Sequence, residues 1–260
     1  MARKHPDQMP FLDHLEELRV RLFWMIGAVI VFFFLSIWLI TQFGVMQVLQ
    51  EPMLKYTAGQ QLTVLDPMES FRILLGTSLI LSLAMAMPII VYHTWAFLSP
   101  GLYAHEKKLM VPVLAGATFL FAAGVALSYF IVLPITLKFL NDLTVAMGMK
   151  PDYRAGGYFT FMIRMSLAFG LVFELPIVLV GLTALRIVTP RVLARFRRHA
   201  FVGCLVLSAF VTPGSDPISL AALTVPLYLL YEIGIILSAI LYRRMNQRAA
   251  KDQDTVGVPA

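Results

Sequence analysis

The sequence predicts an all-α polytopic membrane protein with six transmembrane helices. Its 260 residues are 59% hydrophobic and only 14% charged, whereas soluble domains are nearer half apolar and a quarter charged. The mean hydropathy is +0.78. A helix needs about 20 apolar residues to cross a bilayer, so the chain has room for roughly five to seven such helices. This composition excludes an ordinary soluble domain, a disordered chain and a collagen-like chain.

The first predicted element, at about residues 10–21, is an amphipathic helix that lies on the membrane surface. Phe11, Leu15 and Leu18 share one helical face, and charged side chains surround the rest of it. The first apolar run follows over Leu22–Phe43. It begins too late and is too long for the apolar part of a cleaved signal peptide. We therefore expect it to be retained as the first spanning helix.

Five further apolar segments predict the remaining spans. The last two are weaker, because one has only about 14 residues and the other contains Pro226 and Glu232. The five segments are Ile73–Leu98, Leu109–Leu137, Tyr158–Leu185, His199–Thr212 and Ile218–Leu241. Prolines recur inside these runs, and a proline kinks a helix. We expect a concave, bowed bundle whose last two spans are short.

The distribution of basic residues orients this bundle. With six spans, fifteen of the 21 lysine and arginine residues fall on one side and six on the other. The positive-inside rule makes the richer side cytoplasmic and places both chain termini there. Five spans would send the last basic cluster outside. Because the basic residues flank apolar runs instead of covering a polar domain, we expect no nucleic-acid partner despite the net charge of +6.

The chain is predicted to form a single transmembrane domain over residues 1–241. A polar, disordered cytoplasmic tail is predicted over residues 242–260. On the opposite side two connections, Gly44–Ser70 and Asn141–Gly157, are long enough to lie as caps along the outer surface. The sequence shows no inverted or tandem repeat, which counts against an ordinary repeat-built transporter.

Enzyme motifs are missing from the sequence. No lysine precedes Ser or Thr, so there is no P-loop, and no Gly-x-Ser-x-Gly nucleophile motif occurs. The five histidines are scattered without metal-ligand spacing, and Leu109 stands where a metalloprotease motif starting at His105 needs its second histidine. The single cysteine, Cys204, cannot form an internal disulfide. We expect a protein that is not an enzyme and holds neither a cofactor nor a metal.

A few carboxylates stand where they could bind a ligand. Glu174 falls near the middle of the fourth span, where an ionisable group costs at least about 2.5–3.5 kcal/mol; the alternative to a functional role is a hydrogen-bonded or protonated structural glutamate. Glu17 and Glu106 would form an acidic spot on the basic cytoplasmic face, suited to guanidinium groups. Their plainer alternatives are a solvated Glu17–Arg21 pair and stabilisation of Glu106 by the helix dipole. Glu232 lies nearer the inner end of its span, where water solvates it more easily.

Six segments occur in a fixed order along the chain: His14–Leu22, Pro67–Phe71, Trp95–Glu106, Phe169–Pro176, Thr212–Asp216 and Tyr231–Gly234. Taken together, they resemble the TatC family, the core receptor subunit of the twin-arginine (Tat) protein translocase. The resemblance covers about Phe11 to Leu241, nearly the whole chain.

The resemblance implies a multi-pass protein of the bacterial cytoplasmic (inner) membrane that receives folded proteins for export. It implies that Arg-Arg signal peptides bind to a cytoplasmic set consisting of Glu17, Arg19, Phe97 and Glu106. It also implies that the intramembrane Glu174 contacts polar groups on single-span subunits of the TatA and TatB types. The outer-face positions that the family uses correspond to Pro52, Glu69 and Asp216. Transport would draw on the proton gradient, at a site assembled around a homo-oligomer of this subunit within a larger complex.

Two positions depart from the family pattern. Gly76 stands where the family often has a basic residue, with Arg72 one turn earlier, and Leu220 stands where a polar residue commonly follows the last outer turn. A rival interpretation from the residues is a proton-coupled small-solute carrier that uses Glu174 as its proton site. It predicts a buried substrate cavity and repeat symmetry. An intramembrane protease is a third class, and the sequence lacks its nucleophile motifs.

Overall fold

The computed structural model describes residues 11–56, 62–98, 110–150, 153–211 and 217–256. These residues are helical almost throughout, and their one β-type contact is an isolated bridge between Thr63 and Arg154. The elements are α1 (Phe11–Gln42), α2 (Val45–Leu54), α3 (Pro67–Leu98), α4 (Met110–Leu127), a π-helical turn (Ser128–Val132), α5 (Leu133–Ala146), α6 (Ala155–Phe173), α7 (Leu175–Ala184), α8 (Pro190–Arg195), α9 (Arg197–Val211) and α10 (Pro217–Val256).

Five helical segments in the described residues are long and apolar enough to span a membrane. They are Leu15–Gln42, Pro67–Phe97, Leu114–Ala146, Ala155–Ala184 and Leu223–Gln247. The predicted short fifth span corresponds to α9, which has 15 residues and therefore rises only about 22 Å. It packs against α10, and the Thr224 hydroxyl donates to the Ser208 hydroxyl across the pair at 3.0 Å. The following helix thus braces this short crossing.

The third and fourth spans are interrupted, and each interruption lies beside a proline. Pro134 has no amide hydrogen to donate to the carbonyl of Phe130 four residues earlier. The helix widens there into the π-helical turn that separates α4 from α5. In the fourth span Glu174 separates α6 from α7, and Pro176 lies in the first turn of α7. Prolines at these two positions were among those from which the sequence predicts kinks.

Helix α6 lies at the centre of the packing. Phe169 and Met165 are completely buried on it, and α4 approaches it closely because both helices carry a glycine at the contact. A Cβ on Gly124 would lie 2.7 Å from the carbonyl oxygen of Phe169, and one on Gly170 would lie 2.8 Å from the ring of Phe121. By contrast, α1 is peripheral and exposes many large apolar side chains, as expected for a helix that faces lipid.

The first outer connection contains the short helix α2. The chain turns from α1 into α2 at Gly44, whose φ of 63° lies in the left-handed region that favours glycine. Further along, the amide of Ala155 donates to the carbonyl of Thr63 at 3.0 Å. This hydrogen bond joins the two outer connections to each other.

The structure differs from the sequence predictions at both ends of the chain. Helix α1 runs unbroken from Phe11 into the first span, so the amphipathic segment at residues 10–21 is not a separate surface helix; no glycine or proline interrupts residues 11–26. Helix α10 continues to Val256, whereas the sequence predicts a disordered tail from residue 242. Residues 242–256 contain no glycine or proline, and eight of them are arginine, glutamine, alanine or lysine, which favour a helix.

Candidate functional site

A pocket of about 500 Å³ opens at the cytoplasmic end of the α1–α3 pair. These two helices pack along their length, and the start of α1 lies beside the last turns of α3. The pocket is lined by Glu16, Glu17, Val20, Arg21, Trp24 and His93. It therefore combines two carboxylates, a guanidinium and two flat rings.

Glu17 already binds a guanidinium group in this pocket. Its Oε1 accepts hydrogen bonds from Arg21 Nε at 2.9 Å and from Arg21 Nη2 at 2.5 Å. Only 22% of the Glu17 side chain and 23% of the Arg21 side chain are exposed. The pair that the sequence offered as the plainer alternative is thus present, and it is partly shielded from water.

The two other described residues of the predicted cytoplasmic set, Arg19 and Phe97, do not line this pocket. Arg19 is exposed, and its guanidinium carbon lies 5.6 Å from the centre of the Phe23 ring. Phe97 is half-buried in the last turn of α3, four residues beyond His93. Glu106 lies outside the described residues. Of the three that the structure describes, Glu17 alone lines the pocket.

Sequence analysis missed two aromatic residues of this pocket. The rings of Trp24 and His93 are nearly parallel, with centroids 6.4 Å apart and an interplanar angle of 3°, and the ring of Tyr92 meets His93 edge-on. His93 Nδ1 is buried without a hydrogen-bond partner among the described residues. The signal that could have found His93 is helical spacing, because it lies one turn before Phe97 on the same face of α3.

Glu174 lies at the break between α6 and α7. Its backbone carbonyl accepts from the amides of Ile177 and Val178, both at 3.0 Å. Its carboxyl Oε1 is buried and has no hydrogen-bond partner among the described residues. Helix α10 packs closely here, since a Cβ on Gly234 would lie 3.2 Å from the Cα of Pro176. Glu174 is therefore fixed in position with part of its carboxyl group unsatisfied.

Glu232, the other acidic residue of the late spans, has partners. Its Oε1 lies 2.9 Å from Arg197 Nε and accepts a hydrogen bond from the Tyr228 hydroxyl at 2.9 Å. The ion pair joins α10 to the start of α9. The charge of Glu232 is thus balanced within the protein.

On the outer face, Glu69 ties two helix starts together. Glu69 Oε2 accepts from the Leu65 amide at 3.0 Å, and Oε1 accepts from the Gly156 amide in the first turn of α6. A Cβ on Gly156 would collide with this carboxylate. Both oxygens of Glu69 are used by backbone amides, which indicates a structural role.

Pro52 lies inside α2 and is buried. As a proline it cannot donate to the carbonyl of Val48, four residues earlier. The hydroxyl of Tyr129, from the π-helical turn of the third span, donates to that same carbonyl. Nearby, the Tyr158 hydroxyl of α6 donates to the carbonyl of Leu49. Two spanning helices are thereby bonded to the cap at the point where its proline leaves an acceptor free.

A third tyrosine supports the second outer connection. The Tyr153 hydroxyl donates to Asn141 Oδ1 at 2.9 Å. Burial raises the pKa of Tyr153, and the nearby Tyr56 and Asp142 raise it further. The hydroxyl therefore stays protonated and able to donate.

The structure shows the surroundings of the two positions that depart from the family pattern, Gly76 and Leu220. A Cβ on Gly76 would lie 2.7 Å from Ile163 Cδ1, so a side chain at this position would require the end of the Ile163 side chain to shift. Arg72, one turn earlier, pairs with Asp66 at 2.5 Å.

Leu220 lies in the first turn of α10, where its carbonyl accepts from the Thr224 hydroxyl at 2.7 Å. Asp216 lies outside the described residues. Among those that are described, no group of three or more His, Cys, Asp or Glu side chains could hold a metal ion.

The chain is similar to named proteins over most of its length. The family model described as "Sec-independent protein translocase protein (TatC)" matches residues 13–226. A protein of that name from Aquifex aeolicus is 37% identical over 245 residues, which are 92% of this chain and 98% of the relative. Its namesake from Escherichia coli K12 is 34% identical over 233 residues, which are 89% of each chain.

Two crystal structures of the twin-arginine translocase receptor TatC have the same fold. One matches with a TM-score of 0.76 at 36% identity and covers 88% of this chain and 99% of the other. The second, in the detergent DDM, matches with a TM-score of 0.78 at 38% identity and covers 86% and 99%.

These matches confirm the prediction of six transmembrane helices, which are the five long segments and the short α9, fifth in chain order. They also confirm a multi-pass protein of the bacterial inner membrane and do not favour a small-solute carrier. By the extent of the family match and the identity to its relatives, this chain belongs to the TatC family of protein translocase components.

Proposed function

We propose that this chain is the receptor subunit of a twin-arginine translocase and binds the Arg-Arg signal peptides of folded precursor proteins at the cytoplasmic face. The observation that carries the proposal is the Glu17 carboxylate, which holds a guanidinium in a partly shielded pocket. The similar crystal structures, described as twin-arginine translocase receptors, support the same function.

In this proposal an arginine of the signal peptide replaces Arg21 as the ion-pair partner of Glu17. An i,i+4 ion pair on one helix contributes only about 0.2–0.5 kcal/mol. Exchanging one guanidinium for another leaves the Glu17 carboxylate paired and the net charge of the pocket unchanged, so little is lost when Arg21 withdraws. Arginine also suits the site better than lysine, because its planar fork can bond a carboxylate through two N–H groups and stack on a ring such as Trp24.

The second peptide arginine requires a second acceptor, and we assign this role to Glu106. Glu106 follows α3 in the sequence, after Phe97 at the end of that helix. In this proposal Phe97 and Arg19 line the approach to the pocket. His93 and Trp24 form its aromatic wall.

Glu174 has a separate role in this proposal, which is to contact single-span subunits of the TatA and TatB types. Its buried, unpartnered oxygen is costly inside a membrane. A partner helix that brings a polar side chain to this point would satisfy that oxygen. Docking of this kind would nucleate the proton-gradient-driven translocation site around a homo-oligomer of this chain in a larger complex.

The test is site-specific photo-crosslinking in native membranes, with a photoreactive phenylalanine analogue at position 97. An exported precursor carrying Arg-Arg is compared with the same precursor carrying Lys-Lys. We expect a crosslink that depends on Arg-Arg. A matched control carries the probe at Phe130, an exposed residue of the π-helical turn, and should give no Arg-Arg-dependent product.

Failure of the Arg-Arg precursor to crosslink at position 97, in membranes that contain the folded protein, would contradict the receptor function. Equal crosslinking of the Arg-Arg and Lys-Lys precursors would contradict the guanidinium-specific site.

A further inference from the structure

A separate cavity lies on the cytoplasmic side between α8 and α10. Its volume is about 760 Å³, and its lining includes Thr189 and Arg191 of the α8 region and Tyr242, Arg243 and Asn246 of α10. None of these residues belongs to the cytoplasmic pocket on α1 and α3. The cavity is therefore distinct from the pocket on α1 and α3.

The cavity has fixed walls, because α8 is anchored to α10. The Tyr231 hydroxyl donates to the carbonyl of Leu193 at 2.8 Å, and both side chains are buried. Leu193 and Tyr231 also pack with Leu179 and Ile235 in one apolar cluster. The position of Arg191 relative to α10 is thus set by the fold.

Two arginines give this cavity a positive charge, and no Asp or Glu is among its described lining residues. Arg191 and Arg243 both line it and are exposed. The ion pairs found on this side in the described part of the chain use Glu17 and Glu232, and their partners are Arg21 and Arg197. Neither cavity arginine takes part in those pairs, so an anion is the ligand that the charge favours.

The lining changes from apolar to polar along α10. All five α10 residues of the lining fall in the spanning segment Leu223–Gln247. Ile235 and Ala239 lie nearer its middle, and Tyr242, Arg243 and Asn246 lie at its cytoplasmic end. These positions share one face of the helix. A ligand that fills the cavity therefore meets hydrocarbon on one side and positive charge on the other, which is the pattern of an amphiphile at the inner leaflet.

We propose that this cavity binds the phosphate headgroup of an anionic phospholipid, with the phosphate between Arg191 and Arg243 and the start of an acyl chain against Ile235 and Ala239. Basic pockets between spanning helices on the cytoplasmic side are suited to anionic headgroups. A free phosphate ion shares the headgroup's charge but would leave the apolar wall uncovered, so the lining favours the lipid. The site is independent of the proposed signal-peptide pocket.

The test counts lipid bound to the full-length protein by native mass spectrometry after purification in a non-ionic detergent. The probes are phosphatidylglycerol, phosphatidylcholine with the same acyl chains, and inorganic phosphate. The double variant Arg191→Gln/Arg243→Gln should bind phosphatidylglycerol about 30-fold more weakly than the unaltered chain. The matched control Arg195→Gln/Arg244→Gln removes the same charge from the same two helices outside the cavity lining and should bind as the unaltered chain does.

The variant Arg191→Lys/Arg243→Lys separates loss of charge from damage to the fold, and it should keep most of the phosphatidylglycerol binding. Equal weakening by the two glutamine variants would overturn the proposal, because a diffuse basic surface would then explain the binding. Equal binding of phosphatidylcholine would also overturn it. Binding of inorganic phosphate as tight as that of phosphatidylglycerol would identify a soluble-anion site and overturn the lipid assignment.

Discussion

At the outer cap, the Glu69 carboxylate accepts hydrogen bonds from backbone amides before α3 and at the start of α6. At the cytoplasmic end, the Glu17 carboxylate binds an arginine one turn away on its own helix. The first arrangement links distant segments of the chain and cannot change without moving a helix. The second can exchange its partner while the backbone stays in place. The comparison teaches that the outer end serves as scaffold, and it supports a binding role for the cytoplasmic end.

The largest expected effect is on ligand binding at the cytoplasmic end. Glu17→Gln removes the charge that holds a guanidinium, so we expect crosslinking of an Arg-Arg precursor to fall about tenfold or more. The thermal unfolding temperature should hardly change, because the pair with Arg21 is local. Glu51→Gln, which removes a carboxylate of α2 at the opposite end of the molecule, is the control and should bind normally. A variant Glu17→Gln that unfolds early yet still binds would reverse the comparison.

The second prediction separates binding from assembly. Glu174→Gln keeps the size of the side chain but removes its acid function at the break between α6 and α7. We expect normal crosslinking of the precursor and a severalfold loss of co-purified single-span subunits. The measurement is quantitative pull-down from native membranes. Loss of precursor binding in parallel with Glu17→Gln would show that the two carboxylates do not have separate roles.

The third prediction concerns the scaffold. Glu69→Ala leaves the amides of Leu65 and Gly156 without their acceptor, so we expect a clear fall in the thermal unfolding temperature in detergent. Glu69→Gln retains one carbonyl oxygen as an acceptor, so its unfolding temperature should fall less. Precursor crosslinking to the protein that remains folded should be unchanged in both variants. Unaltered stability of Glu69→Ala would contradict the scaffold role of this carboxylate.

The smallest effect is expected at Tyr129, whose hydroxyl donates to the carbonyl that Pro52 leaves without an amide donor. Tyr129→Phe removes the donor to the carbonyl of Val48, and we expect a loss of about 1 kcal/mol in the free energy of unfolding. In a Pro52→Ala background the restored amide can donate to Val48 instead. The loss from Tyr129→Phe should then shrink, which a double-mutant cycle measures. Additive effects of the two substitutions would mean that the proline and the tyrosine are not coupled.

The spanning helices could be predicted from the sequence because their apolar runs are long and their basic flanks are uneven. The interruption at Pro134 was equally accessible, since a missing amide hydrogen acts within one helical turn. Contacts between distant segments were not accessible. The bond from Tyr129 to Val48 joins residues 81 positions apart, and no local pattern indicates it.

The candidate site was also predictable only in part. Glu17 was found from its charge and helical position, and the structure places it in a pocket. His93 was dismissed as one of several scattered histidines, because its stacking on Trp24 depends on how α1 and α3 pack. The helical course of residues 242–256 differs from the prediction for another reason: a polar composition suggests disorder, but the absence of glycine and proline allows α10 to continue.

The 15-residue helix α9 has a consequence for the surrounding lipid. Its rise of about 22 Å is several ångströms less than the hydrocarbon thickness of about 30 Å. Lipids beside it must compress, and each ångström of mismatch costs a fraction of a kcal/mol. A neighbouring helix of similarly short apolar length relieves that deformation when it docks there, whereas a longer helix must tilt. The length of this one helix therefore discriminates among neighbours before any side chain makes contact.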